Sequence, residues 1–204
     1  REQRRLNPKQ RWAWGVSAHE VMLPAVLGRA GYRTALIGKW HLGYDPKFHP
    51  MNHGFDEFRG FVGGNVDYHT HVAGYGDKTL DWWRDRQKQD EPGYATDLLT
   101  RHATDFIRQN KAGPFFLYLA THDIHVPRVP NSRFRGTSEA GIRGDSVHSF
   151  DWTLGRVLDT LDRLKLTDNT LVIVTSDNGG VLDTNGASQS ATVRVSTIHD
   201  QLSD

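Results

Sequence analysis

The sequence predicts an α/β protein, a parallel sheet sandwiched between helices. Three observations carry that expectation. Short apolar runs rich in β-branched and aromatic residues recur at residues 34–37, 115–119 and 171–174. Stretches with apolar residues at helical spacing precede and separate them. Each run also ends in polar, chemically capable residues: Lys39 and His41 after the first, His125 after the second, Asp177 and Asn178 after the third. Alternation of this kind indicates βαβ units, and in open parallel sheets the site lies outside the carboxyl ends of the strands.

In chain order, residues 1–14 are basic, contain Pro8 and show no period, so they read as a loop. Ser17-Ala18-His19-Glu20 fits a capping box, and Val21, Leu23, Val26 and Leu27 then give a helix ending near Gly31. A strand over residues 32–37 runs into Gly38-Lys39-Trp40-His41-Leu42-Gly43. Side chains two apart in a strand share a face, so Lys39 and His41 are expected to aim at one spot. Residues 44–76 read as a long loop region of the kind that is more often functional than idle. Within it, His69-Thr70-His71 has no carboxylate or further ligand at a metal spacing and reads as loop histidines. Trp82-Trp83 reads as packing of this excursion against the body, with stacking on a sugar or aryl ring as the functional alternative.

Leu98, Leu99, His102, Ala103, Phe106 and Ile107 predict a helix over residues 94–109. The continuous apolar run 114–120 predicts a central strand buried on both faces, leading into Thr121-His122-Asp123-Ile124-His125-Val126-Pro127. Val147, Phe150, Leu154, Val157, Leu158, Leu161 and Leu164 mark a second long helix, residues 145–164. A third strand over 171–174 leads into Thr175-Ser176-Asp177-Asn178-Gly179-Gly180, and from residue 187 onward no structure is assigned.

Composition bounds the function. The 204 residues amount to about one domain. A net charge of +1 gives no electrostatic case for nucleic acid or an anionic membrane. The absence of cysteine excludes disulfides and thiolate metal sites within these residues. No run approaches the roughly 18 apolar residues of a membrane span. Arg1-Glu2-Gln3-Arg4-Arg5 is a charged start with no signal peptide, and the first residue is not Met, so the chain is expected to be a piece of a longer protein.

The chemistry follows from the residue types. Asp177 and Asn178 offer hard oxygen donors suited to Ca²⁺ or Mg²⁺, although two donors do not fill a shell and the pair also makes a good turn. Lys39, His41 and His125 bring positive charge and proton-transfer capacity. Together they describe a site for an oxyanion that is transferred or hydrolysed.

Gly31-Tyr32-Arg33-Thr34-Ala35-Leu36-Ile37-Gly38-Lys39-Trp40-His41-Leu42-Gly43 resembles the second signature of type I sulfatases. Gly54-Phe55-Asp56-Glu57-Phe58-Arg59-Gly60 resembles the turn that follows it, residues 121–127 the family's histidine loop, and residues 171–180 its calcium-binding strand end. The resemblance covers residues 18–186 and is nearest to the arylsulfatase and N-acetylgalactosamine-6-sulfatase group. It implies an alkaline-phosphatase-like sheet between helices. Residues 1–204 would be a partial catalytic domain lacking the N-terminal nucleophile segment and the C-terminal part. It implies that Lys39 binds a sulfate oxygen, that His41 contacts a formylglycine nucleophile and acts as base, and that His125 binds sulfate and protonates the leaving alcohol. Asp177 and Asn178 would ligate one Ca²⁺. The implied substrate is an aryl or carbohydrate sulfate, with no nucleic-acid partner, in a secreted, periplasmic or lysosomal setting.

The chain departs from that family in lacking a C/S-x-P-S-R motif, the paired aspartates of the calcium shell and a lysine after the third strand. At the position of a serine found in some relatives stands Gly63-Gly64-Asn65. Two other functions fit less of the sequence. A phosphatase or phosphodiesterase of the same superfamily usually places His after the strand-end Asp, where this chain has Asn178. A degenerate, binding-only domain would lack a nucleophile throughout.

Overall fold

In the computed structural model, which describes residues 14–74 and 78–179, the sheet is built around β1 (Arg33–Lys39). Thr34, Ala35, Leu36 and Ile37 are wholly buried, which is why this strand reads as a continuous run and not an alternation. β2 (Glu57–Phe61) and β5 (Phe115–Ala120) pair with β1 in parallel on its two sides. The two-residue strands β3 (Trp83–Arg84) and β4 (Gln87–Lys88) extend the sheet antiparallel beyond β2, in the order β4-β3-β2-β1-β5.

Three helices accompany the sheet: α1 (Leu23–Arg29), α2 (Ala95–Asn110) and α3 (Gly141–Arg163). α2 packs on β1, β2 and β5, and α3 packs on α2. The stripe Leu98, Leu99, Ala103, Phe106 and Ile107 is buried, with Phe106 meeting Phe115 edge to face at 6.0 Å. Adjacent strand residues point to opposite faces. Phe116 accordingly packs with a second cluster, Leu36, Trp40, Phe55, Phe58 and Val62. Thr34 ties the Gly54–Asp56 turn to β1, its backbone N–H donating to Asp56 Oδ2 at 2.9 Å and its hydroxyl to the Gly54 carbonyl at 2.8 Å.

α2 and α3 lie where periodicity places helices, α3 starting about one turn earlier than expected. Four expectations need correction. The capping box at Ser17 is a turn, with Glu20 N–H donating to the Ser17 carbonyl; α1 begins at Leu23, next to Pro24, whose fixed φ suits a first helical turn. The Gly54 turn opens a strand, β2, that was read as loop. Among the described residues β5 stands at the edge of the sheet and not at its centre, and Tyr118 is 50% exposed. An apolar run reports local propensity, but the number of neighbours is set by topology.

The fourth correction concerns residues 171–174. The chain divides into two units, Arg1–Lys165 and Leu166–Asp204. In the second unit a 3₁₀ turn, Thr167–Asn169, leads into extended backbone that joins no strand among the described residues. Leu171 and Ile173 are 77% and 71% exposed. β-propensity is mostly a measure of fit to neighbours, and without a ladder it makes no strand.

Candidate active site

β1 ends at Lys39 and the chain turns. The Trp40 and His41 amides donate to the Phe61 and Val62 carbonyls at 3.0 Å each, keeping this turn beside the end of β2. The buried Trp40 indole anchors it from below, Nε1 donating to the Phe48 carbonyl at 2.8 Å. His41 takes a φ of 55°, a left-handed conformation that non-glycine residues hold only where the surroundings enforce it. Lys39 and His41 therefore do not converge by strand alternation, as expected from sequence. The positive φ re-aims His41, and its imidazole lies on Gly64, where a Cβ would come within 2.5 Å of Nε2.

Gly64 belongs to a segment, residues 62–68, that organises the site. The buried Asp81 carboxylate fixes its start, accepting from the Val62 and Gly63 amides at 3.2 and 2.8 Å and from Trp83 Nε1 at 2.6 Å. Its other end is tied to the loop after β5. Asn65 Nδ2 donates to the Val126 carbonyl at 2.9 Å. His122 Nε2 lies 2.8 Å from the Val66 carbonyl, and since a carbonyl only accepts, Nε2 carries the proton. The His122 ring stacks on Tyr68 at 4.2 Å and meets Phe61 edge to face at 5.2 Å. Burial drives the His122 pKa down to about 4, and the charges of His125 and Lys39 act the same way. His125 and Lys39 are thus close enough to His122 to be felt. The His125 ring lies 6.2 Å from that of His122, and the His125 amide donates to the His122 carbonyl at 3.0 Å.

This segment therefore touches His41 at Gly64 and the histidine loop at Asn65, Val66 and Tyr68, and Lys39 ends the strand beside it, in register with Phe61. The sequence signalled the three basic residues. It also held a readable sign of the close approach at Gly63-Gly64. Nothing in it marked His122, Asp81 or Asp123 as the groups that brace them.

Asp177 and Asn178 lie in the second unit and are exposed. The Asn178 amide nitrogen donates to the Gly179 carbonyl at 2.8 Å, leaving its Oδ1 as the donor oxygen beside the Asp177 carboxylate. Among the described residues no three His, Cys, Asp or Glu side chains are grouped to hold a metal ion. Gly180 lies outside the described residues. The tryptophan pair packs against the body. Trp82 is 1% exposed, stacked on His71 at 4.2 Å with Nε1 donating to Glu91 at 2.9 Å, and Trp83 joins the second core cluster. His71 is a loop histidine, as expected, but a buried one, 1% exposed.

A sequence model of the family described as Sulfatase matches residues 2–202. The chain belongs to the sulfatase family. This sulfatase chain is 39% identical over 184 residues to the N-acetylgalactosamine-6-sulfatase of Homo sapiens, covering 82% of this chain and 34% of that protein. It is 34% identical over 227 residues to the N-acetylgalactosamine-6-O-sulfatase of Bacteroides thetaiotaomicron, covering 80% and 43%. Among solved structures, Ps i-CgsB in complex with k-i-k-neocarrahexaose superposes with a TM-score of 0.74 at 29% identity, over 81% of this chain and 42% of that one. The sulfatase chain thus spans less than half the length of the relatives it matches. Its mixed sheet flanked by helices is shared with a fold of the alkaline phosphatase type.

Proposed function

We propose that the protein to which this chain belongs hydrolyses sulfate esters of aryl or carbohydrate alcohols. One observation supports the reading: in a chain of the sulfatase family the His41 ring lies on Gly64, the loop that carries His125 is tied to Asn65, and Lys39 ends the strand beside them. Lys39 offsets the charge of a sulfate oxygen. His125 binds the sulfate and gives its proton to the leaving alkoxide as the S–O bond breaks. His41 contacts the nucleophile and takes a proton from it when sulfate is expelled. The nucleophile is a formylglycine in a segment of the parent protein outside these residues, because the 204 residues contain no C/S-x-P-S-R motif. Asp177 and the free Oδ1 of Asn178 fit a hard cation, Ca²⁺, whose remaining ligands come from elsewhere. When bound, the cation supplies positive charge against the transferring group. The names of the two N-acetylgalactosamine-6-sulfatase relatives favour a carbohydrate sulfate.

The test uses the full-length protein with 4-nitrophenyl sulfate and 4-nitrophenyl phosphate. Sulfate turnover should dominate and should fall when calcium is chelated. Lys39→Ala and His125→Ala should each lower kcat/KM for sulfate by about 100-fold or more with melting temperatures held. Faster phosphate turnover would reassign the protein to the phosphatases, and loss of neither activity on substitution would remove these residues from the site.

The contact between His41 and residue 64 gives a second check. Gly64 needs no unusual backbone, and the three atoms nearest to an added Cβ all belong to the His41 ring. Gly64→Ala is expected to leave melting nearly unchanged and to lower kcat about 10-fold or more, since displacements near 1 Å cost rate steeply. Equal activity in this variant would show that the ring position is immaterial.

A further inference from the structure

Asp123 is 9% exposed and sits two residues before His125. Its Oδ2 accepts from the Thr96 hydroxyl of α2 at 2.5 Å and the Ser149 hydroxyl of α3 at 3.1 Å. Its Oδ1 accepts from the Tyr68 hydroxyl at 3.3 Å, and that hydroxyl also lies 3.4 Å from the His125 carbonyl. The Thr121 hydroxyl donates to the Asp123 carbonyl at 3.0 Å, closing the loop on itself. Beyond Asp123 the loop is partly exposed, Ile124 39% and Val126 41%. The Val126 carbonyl accepts from Asn65 Nδ2 at 2.9 Å and from His125 Nδ1 at 2.6 Å, so the imidazole keeps its aim only while this loop keeps its place.

We propose that Asp123 is the positioning residue for His125, a carboxylate pinned by one hydroxyl from each of three separate elements so that the imidazole meets the leaving oxygen. A carboxylate at this place serves position more than stability. Burying a carboxylate costs several kcal/mol before its bonds recover any of it, and a well-packed apolar side chain often stabilises more. What the carboxylate adds is direction. Its two oxygens take three donors whose origins lie in α2, α3 and the 62–68 segment, so the loop is located against all three at once. Burial pushes the Asp123 pKa up, and the Thr96, Ser149 and Tyr68 hydroxyls work against that by favouring the charged form.

This inference rests on the reading of His125 as the leaving-group acid, and the experiment separates the two. Full-length enzyme is assayed on aryl sulfates from nitrophenyl to unsubstituted phenyl, whose phenolates leave progressively less easily. His125→Ala should lose most on the poorest leaving group, where the proton matters most. Asp123→Asn should show the same pattern: less than about 3-fold loss with nitrophenyl sulfate and more than about 10-fold with phenyl sulfate. Joined to His125→Ala it should add no further steepening, as residues acting as one unit are not additive. Thr96→Val should steepen the dependence in the same direction and Thr96→Ser restore it, which keeps the test alive if Asp123→Asn folds poorly. A uniform loss across all substrates, tracking the folded fraction in melting, would overturn the positioning role while leaving His125 as the acid. No steepening in His125→Ala itself would remove the acid assignment and this inference with it.

Discussion

Gly38→Ala is expected to lower the stability of the full-length protein by more than about 4 kcal/mol. Gly38 is where β1 is paired on both sides, opposite Gly60 of β2 and Ala120 of β5. Its φ is +117°, and a Cβ built on it would stand 1.8 Å from the Ala120 carbonyl oxygen and 2.6 Å from the carbonyl carbon. Both atoms are backbone, so no rotamer change relieves the clash. The strands must separate, one residue before Lys39, or the backbone must adopt a φ that costs the register. Melting should fall by roughly 10 °C or more, with activity lost at temperatures where the wild type is folded. Gly28→Ala is the control, because Gly28 lies within α1 with nothing within 4 Å of its added Cβ. It should gain up to about 1 kcal/mol from helix propensity. A small loss at Gly38 would mean that the sheet end is softer than this geometry allows.

Acid should weaken the fold chiefly through buried histidines that stay neutral. His122 has a pKa of about 4 in the folded state against 6.5 for an unburied histidine. Above pH 6.5 neither state is charged, and the folded state keeps its full stability. Between pH 6.5 and 4 the unfolded chain takes up a proton that the folded chain refuses, so stability falls as pH falls, by about 3 kcal/mol for this residue. His49 is held at about 4 chiefly by burial, assisted by Arg86, and burial also lowers His53 and His71, so these act in the same direction. The raised pKa of Asp123 opposes them, since a buried carboxyl gains from protonation. His122→Gln keeps a donor for the Val66 carbonyl but cannot titrate. Chemical denaturation at pH 7 and pH 4.5 should show a smaller acid loss in this variant than in the wild type, by about 3 kcal/mol. An identical acid limb in the two proteins would place the sensitivity elsewhere.

The sequence was most legible where a single segment carries its own cause. β1, α2 and α3 announce themselves by a buried run and two apolar stripes, because burial is a local pattern. Lys39, His41 and His125 were legible as polar residues following apolar runs, and Lys39 does end β1. The tie of His41 and the histidine loop to one segment was not legible. It depends on the φ of His41, on Gly64 ceding space to a ring from another loop, and on His122 reaching Val66 over 56 positions. Long-range pairings of polar groups leave no period in a sequence. β2 was missed because its glycines and charged residues look like a turn, although Phe58 is wholly buried. β5 and residues 171–174 show the reverse error, in which strong propensity is mistaken for a position in the sheet.

The edge position of β5 has a practical consequence. Among the described residues its one strand neighbour is β1, and its sequence, Phe-Phe-Leu-Tyr-Leu-Ala, contains no charge and no proline. Natural edge strands are guarded by lysine, proline or a bulge, because bare edges recruit further strands. A six-residue segment of high β-propensity and no charge is also the composition that stacks into cross-β assemblies. With β5 as the edge among the described residues, an isolated preparation of this chain is expected to self-associate through it, and light scattering against concentration would check this. A lysine in place of the half-exposed Tyr118 is the smallest change that would keep such chains apart.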